Sequence, residues 1–311
     1  MRARVPASAA NLGPGFDVLS LALSLYVEVE VEPARKLIVR SEGEGSGIAD
    51  DASHLAARVA IDVMGHDRLA VTVRSEIPVA RGLGSSAALA VAAAAAAGSK
   101  DPLTVGASVD GHPENAAASA IGGLVAATRV RGAVRVVKLP LDVGLAFVAL
   151  VPDRELSTSK ARQVLPHQVS REDASFNMGR MAMLLAGLAD RSRLVHEATE
   201  DRLHQDYRSP LFPEAPQLLG RLVSAGALAT CWSGAGPTLL GICDGGVGER
   251  LQREAEKIMK EVGVAGHVLL LRPDLDGLVV DEGGGVPLDP SRPAPFDLMA
   301  EESRRSPDVG P

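Results

Sequence analysis

Aromatic residues are scarce in this chain of 311 residues, at 3% with a single tryptophan, so its core cannot be built on large rings. The apolar mass is Ala, Val and Leu within a 46% hydrophobic composition, and such small side chains imply closely packed helices and sheets or a large irregular pocket. Basic clusters are equally rare. The formal net charge is −7 and Lys and Arg come in short pairs such as Arg304-Arg305, which argues against nucleic acid as a partner. Two cysteines, Cys231 and Cys243, are too few for a disulfide framework and read as reduced core thiols of a cytoplasmic protein. The opening MRARVPASAANLGPG lacks an apolar core of signal-peptide length. The uncharged stretch from 82 to 99 is mostly alanine and begins Gly-Leu-Gly-Ser-Ser, so it reads as a helix buried in protein and not as a membrane span.

What is present is a mixed α+β pattern in two blocks. LSLYVEVEV (23–31) alternates with period two, placing Leu23, Leu25, Val27, Val29 and Val31 on one face and Ser24, Tyr26, Glu28 and Glu30 on the other, as in a half-buried strand. Further strands are expected at 36–40, 68–74, 133–139 and 145–152, with helices at 53–64, 85–97 and 114–121. The second block carries helical patterns at 171–189, 213–224 and 247–261, separated by strands at 226–231, 238–243 and 267–271. Met178, Met181 and Met183 on the first of these helices, and Trp232, read as core. A seam at 151–158, where VPDRELST turns from strand to polar linker, divides an N-terminal domain, 1–152, from a C-terminal domain, 153–275. From 281 to 311 the composition is rich in proline and glycine and reads as a disordered tail.

The string GLGSSA (82–87) admits several readings. A Walker-type phosphate loop needs a Lys after its last Gly, and Ser85 stands there. A dinucleotide fingerprint is matched in form by Gly82, Gly84 and Ala87, with Asp101 downstream, but that motif grows straight out of a strand, and here SEIPVAR intervenes after Val73. Two readings stay open on this string alone. In one, glycines turn backbone amides toward an anion at a helix N-terminus, with Ser85 and Ser86 adding hydroxyls. In the other, a serine simply caps a buried alanine helix.

Three ordered motifs carry a resemblance. Pro78 to Ala88 is similar to the second motif of the small-molecule kinases named for galactokinase, homoserine kinase, mevalonate kinase and phosphomevalonate kinase. VPASAANLGPGFDVLSLAL (5–23), with Asn11, Gly13, Gly15 and Asp17, resembles the opening motif of the homoserine kinase branch. CWSGAGPTLLGI (231–242), with Gly234 and Gly236, resembles the third motif. The likeness runs from about residue 2 to 273. It implies an α+β fold with an N-terminal domain like ribosomal S5 domain 2, a ferredoxin-like C-terminal domain, and a site in the cleft between them.

The resemblance also implies a chemistry: phosphorylation of the L-homoserine hydroxyl by ATP with Mg²⁺, as a step of threonine biosynthesis. Pro78, Val79, Ala80, Arg81, Gly82, Leu83, Gly84, Ser85, Ser86, Ala87 and Ala88 would cradle ATP. Ser86 and Asp110 would hold the metal. In DGHPEN (110–115) the branch has Glu where Asp110 stands and Asp where Glu114 stands. Asn115, an amide, cannot act as a base where mevalonate and galactose kinases usually carry an Asp, which implies direct in-line transfer. ARQVLPHQV (161–169) and DRLHQDYRSPLFP (201–213) are similar to segments whose arginines, here Arg162 and Arg208, would fork onto the substrate carboxylate. Asp17 would meet the ammonium and Asn11 the hydroxyl, with His112 and Gly234 also on the substrate side. Asp206 replaces the usual proline of the second segment. The alternatives are a kinase of this family for another alcohol, and a non-catalytic regulator that binds an amino acid or nucleotide. Homodimers are common in the family.

Overall fold

Valines spaced two apart build the front of the molecule. The structure, a computed structural model, describes residues 1–281, the side chain of Asp110 excepted. The elements of the first half are β1 (Arg2–Asn11), β2 (Gly15–Pro33), β3 (Ile38–Gly43), α1 (Leu55–Met64), β4 (Leu69–Ser75), α2 (Ser85–Ala96), α3 (Pro102–Asp110), α4 (Pro113–Ile121), β5 (Leu124–Val130) and β6 (Ala133–Leu139). There follow β7 (Leu145–Pro152), α5 (Thr158–Gln163), α6 (Arg171–Ala189), α7 (Gln205–Arg208), α8 (Ala215–Ser224), β8 (Ala229–Trp232), β9 (Leu239–Asp244), α9 (Gly248–Val262), β10 (Gly266–Leu271) and β11 (Val279–Asp281).

The first sheet runs β11-β1-β2-β4-β3, with the β5-β6 hairpin added to the early part of β2. On β2, Val27, Val29 and Val31 are buried, while Glu28 and Glu30 pair with Arg2 and Arg74 on the wet face. Over this sheet pack α1, α2 and α4, and α3 lies against α2 and α4. Helix α2 is apolar on every side, and Ala87, Ala88 and Ala90 to Ala94 have no exposed surface, the signature of a helix enclosed by protein. Its alanines let β1, β2, α1, α3 and α4 all approach it closely. No helix of the described residues is long and apolar enough to cross a membrane.

The second sheet has the order β10-β7-β9-β8, every pair antiparallel. With α8 between β7 and β8 and α9 between β9 and β10, this is the β-α-β-β-α-β arrangement of a ferredoxin-like unit. Trp232 lies at the end of β8, edge-on to Phe212 with ring centroids 6.0 Å apart. Cys231 and Cys243 are both free and buried, and burial pushes their thiols up to about 12 and about 11.

Sheet membership moves the expected division at 152. Strand β7 is buried at every residue and bonds to β9 and β10, so it belongs to the second sheet. Conversely, β11 returns to pair with β1, so Asp281, counted with the tail on composition, ends a strand. Residues 282–311, the rest of that expected tail, lie outside the described residues. The sequence reading missed β1, whose Pro6 and run of small residues hide a strand buried on both faces. It also missed α3, although Asp101-Pro102 is a cap signal and the Asp101 carboxylate accepts from the Thr104 N–H at 3.0 Å. Met178 and Met183 are exposed, not core, because α6 buries only Asn177, Leu184, Gly187 and Leu188.

Candidate functional site

A cavity of about 820 Å³ gathers residues from the first sheet and from the loop between β8 and β9 of the second. One wall is the loop before α2, where Ala80, Gly82 and Gly84 have φ of 56°, 79° and 68°. Such angles suit glycine, and at Gly82 a Cβ would lie 2.4 Å from the Ser233 carbonyl oxygen. The close approach is used: the Ser233 hydroxyl donates to the Gly82 carbonyl at 2.7 Å, and the Thr238 N–H donates to that of Arg81 at 3.2 Å.

Gly84 is the N-cap of α2 and no side chain caps the helix. Ser85 and Ser86 are its first two residues and face the cavity, so the cap reading does not hold. The first N–H groups of a helix have no intrahelical acceptor and carry the positive end of its dipole. They open here onto the cavity wall. Val79 to Gly82 and Gly84 to Ser86 line it, whereas Pro78, Leu83, Ala87 and Ala88 are buried behind the loop.

Opposite lies the turn between β1 and β2. The Asn11 amide is bound at both ends to backbone: Nδ2 donates to the Gly234 carbonyl at 2.7 Å and Oδ1 accepts from the Asp17 N–H at 3.0 Å. Arg162, on α5, forks onto Asp17 with Nη2 to Oδ1 at 2.6 Å and Nη1 to Oδ2 at 3.1 Å. The sequence reading gave these two residues separate partners, and the structure pairs them with each other. Arg208, at the end of α7, is 1% exposed. Burial first, and Arg162 second, lower its guanidinium to about 10. Asp206, two residues before it, is exposed and lines a different cavity.

The third wall comes from the start of α4. Asn115 Oδ1 accepts from the buried Ser8 hydroxyl at 2.9 Å, which leaves the amide NH₂ as its donor. His112, Glu114 and Asp17 place ligating atoms within 4.8 Å of one another, and Glu114 is 3% exposed. Asp110 closes α3 just before Gly111, and its side chain lies outside the described residues.

Of the candidate residues, Asn11, Asp17, Ser86, His112, Asn115, Arg162, Arg208 and Gly234 thus meet on one cavity. Sequence reasoning overlooked Ser8, His204 and Ser233, and named Glu114 only as a departure from the family pattern. The first three sit inside strings singled out for other residues, and only their contacts across the chain reveal them. The arrangement offers a polyanion the amide-rich end of α2, and offers a small zwitterion both carboxylate and guanidinium groups.

The chain was compared with known proteins. The family described as GHMP kinases N terminal domain matches residues 52–123, and GHMP kinases C terminal matches residues 184–261. A homoserine kinase of Leifsonia xyli subsp. xyli is 37% identical over 298 residues, 89% of this chain and 90% of that protein. A homoserine kinase of Thermus thermophilus is 40% identical over 257 residues, 79% and 87% of the two chains. Among solved structures, homoserine kinase from Cytophaga hutchinsonii superposes with a TM-score of 0.78 at 24% identity, covering 90% of this chain and 96% of that one. Mevalonate kinase of L. major in complex with R-mevalonate has a TM-score of 0.67 at 16% identity, covering 88% and 96%, a likeness of fold.

Proposed function

The chain belongs to the GHMP kinases, and on that premise we propose that it transfers the γ-phosphoryl group of ATP to the side-chain hydroxyl of L-homoserine. The product, O-phospho-L-homoserine, feeds threonine biosynthesis. The observation that carries this reading is the meeting, in one cavity, of the uncapped N-terminus of α2 with Asp17, Arg162 and Arg208. The first suits a triphosphate, and the others suit the ammonium and carboxylate of an amino acid.

The residues present fit Mg²⁺ as the ion that accompanies ATP. It takes hard oxygen donors together with phosphate oxygens and water, and the cavity offers the Ser86 hydroxyl and the Glu114 carboxylate. Asp110 is assigned to the same ion on its place at the end of α3. Bound to the phosphates, Mg²⁺ neutralises charge that would otherwise oppose attack by a hydroxyl. The chain's own share is alignment. Loop amides and the α2 terminus hold the phosphates, Arg208 fixes the amino acid by its carboxylate, and Asn115 presents amide donors where charge develops. No amide can take the hydroxyl proton, so transfer proceeds in line without a side-chain general base at Asn115.

For the Asp17 and Arg162 pair the reading is an exchange. A zwitterion brings its own cation to Asp17 and its own anion to the arginines, replacing one fork with two charge-assisted contacts. The working location is the cytoplasm, and a homodimer is the assembly to look for by light scattering.

ADP release with Mg-ATP checks the reading. L-Homoserine should support it far above mevalonate or galactose. Preference for either alcohol would reassign the substrate, and binding of ligands without ADP release would make the protein a regulator on a kinase fold.

A further inference from the structure

Arg162 and Arg208 both reach the cavity, and their charges are treated differently. Arg162 is matched by the Asp17 carboxylate. Arg208 takes part in no ion pair among the described residues, although it is the more deeply buried. Its Nε donates to the Ala161 carbonyl at 3.3 Å, and Nη1 donates to the Gly234 carbonyl and to His204 Nδ1, each at 2.9 Å. Nη2 makes no hydrogen bond within the described residues. Nε and Nη1 are therefore clamped by the protein, while Nη2 is left for a ligand in the cavity that Arg208 lines.

His204 is the unusual part of that clamp. Its ring is 0% exposed, stacks on Phe16 with centroids 5.1 Å apart, and bonds through Nε2 to the Gly13 carbonyl at 2.8 Å. A carbonyl only accepts, so Nε2 carries the proton and Nδ1 offers its lone pair to Arg208. The nearby acid is otherwise employed: Asp201 accepts from Asn177 Nδ2 and from the N–H groups of Leu203, His204 and Gln205. Burial, with Arg208 alongside, lowers the imidazole to about 4 in spite of Asp201 and Asp17, so the ring is neutral near pH 7.

We propose that His204 is the positioning residue for carboxylate recognition: a neutral acceptor that orients Arg208 without cancelling its charge, keeping the guanidinium ready for the anionic end of the substrate. A carboxylate in the same place would orient Arg208 equally well and neutralise it. The proposal rests on the reading that Arg208 receives the homoserine carboxylate. It adds how that arginine is held and why its partner is an imidazole.

The test pairs three variants with two alcohols: L-homoserine, and 3-aminopropan-1-ol, which keeps the hydroxyl and the ammonium but has no carboxylate. His204→Ala should raise the KM for L-homoserine about tenfold or more, with kcat and the KM for ATP within about twofold of wild type. On the amino alcohol, wild type and His204→Ala should be indistinguishable. His204→Gln, whose amide can donate to Gly13 and accept from Arg208, should recover most of the affinity for L-homoserine. His204→Glu should retain the fold by pairing with Arg208, yet bind L-homoserine no better than His204→Ala. Equal losses on both alcohols, or a His204→Glu variant with wild-type KM, would overturn the assignment and leave His204 a packing residue. If the alanine variant does not fold, the Gln and Glu variants decide the matter between them. Wild-type protein without homoserine-dependent ADP release would overturn the functional reading as well, and that result is seen before any variant is compared.

Discussion

Arg162 and Arg208 differ in the way that matters for a ligand, namely which counter-charge each already holds. Arg162 sits on Asp17, and its replacement frees a carboxylate that can still meet an ammonium. Removing Arg208 takes out a buried guanidinium with no acid of its own and strips a partner from His204 and from the Gly234 carbonyl. Arg208→Ala should therefore raise the KM for L-homoserine by about 30-fold or more with little change in that for ATP, in line with the cost of truncating a buried charged contact. Steady-state kinetics with each substrate varied in turn measures this, and equal damage to both would remove Arg208 from carboxylate recognition. The arginine itself was legible in DRLHQDYRSPLFP. His204 in the same string was not, because its partner Gly13 lies 191 residues away and nothing local distinguishes a clamp from a loop histidine.

At the scale of the element, α2 shows where a sequence can speak and where it falls silent. The six letters of GLGSSA were compatible with a cap or a cradle. The choice depended on which group occupies the N-cap, and Gly84 occupies it with a backbone geometry that a β-carbon strains. Gly84→Ala would bring a Cβ to 2.1 Å from Ser8 Oγ at a φ of 68°. Left-handed backbone alone costs about 1–2 kcal/mol, so a loss of about 2 kcal/mol or more is expected in urea unfolding. The same methyl displaces Ser8 from Asn115, so kcat should fall further than stability alone explains, as rates measured at a temperature where the variant is fully folded will show. Helices with caps or an apolar stripe, such as α6, α8 and α9, were readable to within a few residues. Strand β1, buried on both faces, was not, since Pro6 and its small residues show neither alternation nor a run of large apolar residues, whereas β7, equally buried, was readable from its apolar run.

For the whole molecule, residues 1–281 form one compact unit although they contain two sheets. The joints are specific. Asn11 holds Gly234, Ser233 holds Gly82, and Ser24 and Arg272 exchange two hydrogen bonds of 2.9 Å. Trp232, the single tryptophan, reports on the second sheet, and its fluorescence should lose native character at the same urea concentration as the far-UV circular dichroism of the entire chain. Separated midpoints would mean that the joints are too weak to couple the sheets. Sequence by itself determined the family resemblance, the α+β pattern, the reactive strings and the small-residue core, because these rest on local letters, spacing and composition. Only the tertiary structure decided that β7 belongs with the second sheet, that Asp17 and Arg162 hold each other, and that Arg208 is held by a neutral ring. Those outcomes depend on burial and on which groups meet across long stretches of chain, where hydrogen bonds and charges take their strength from surroundings that no single segment contains.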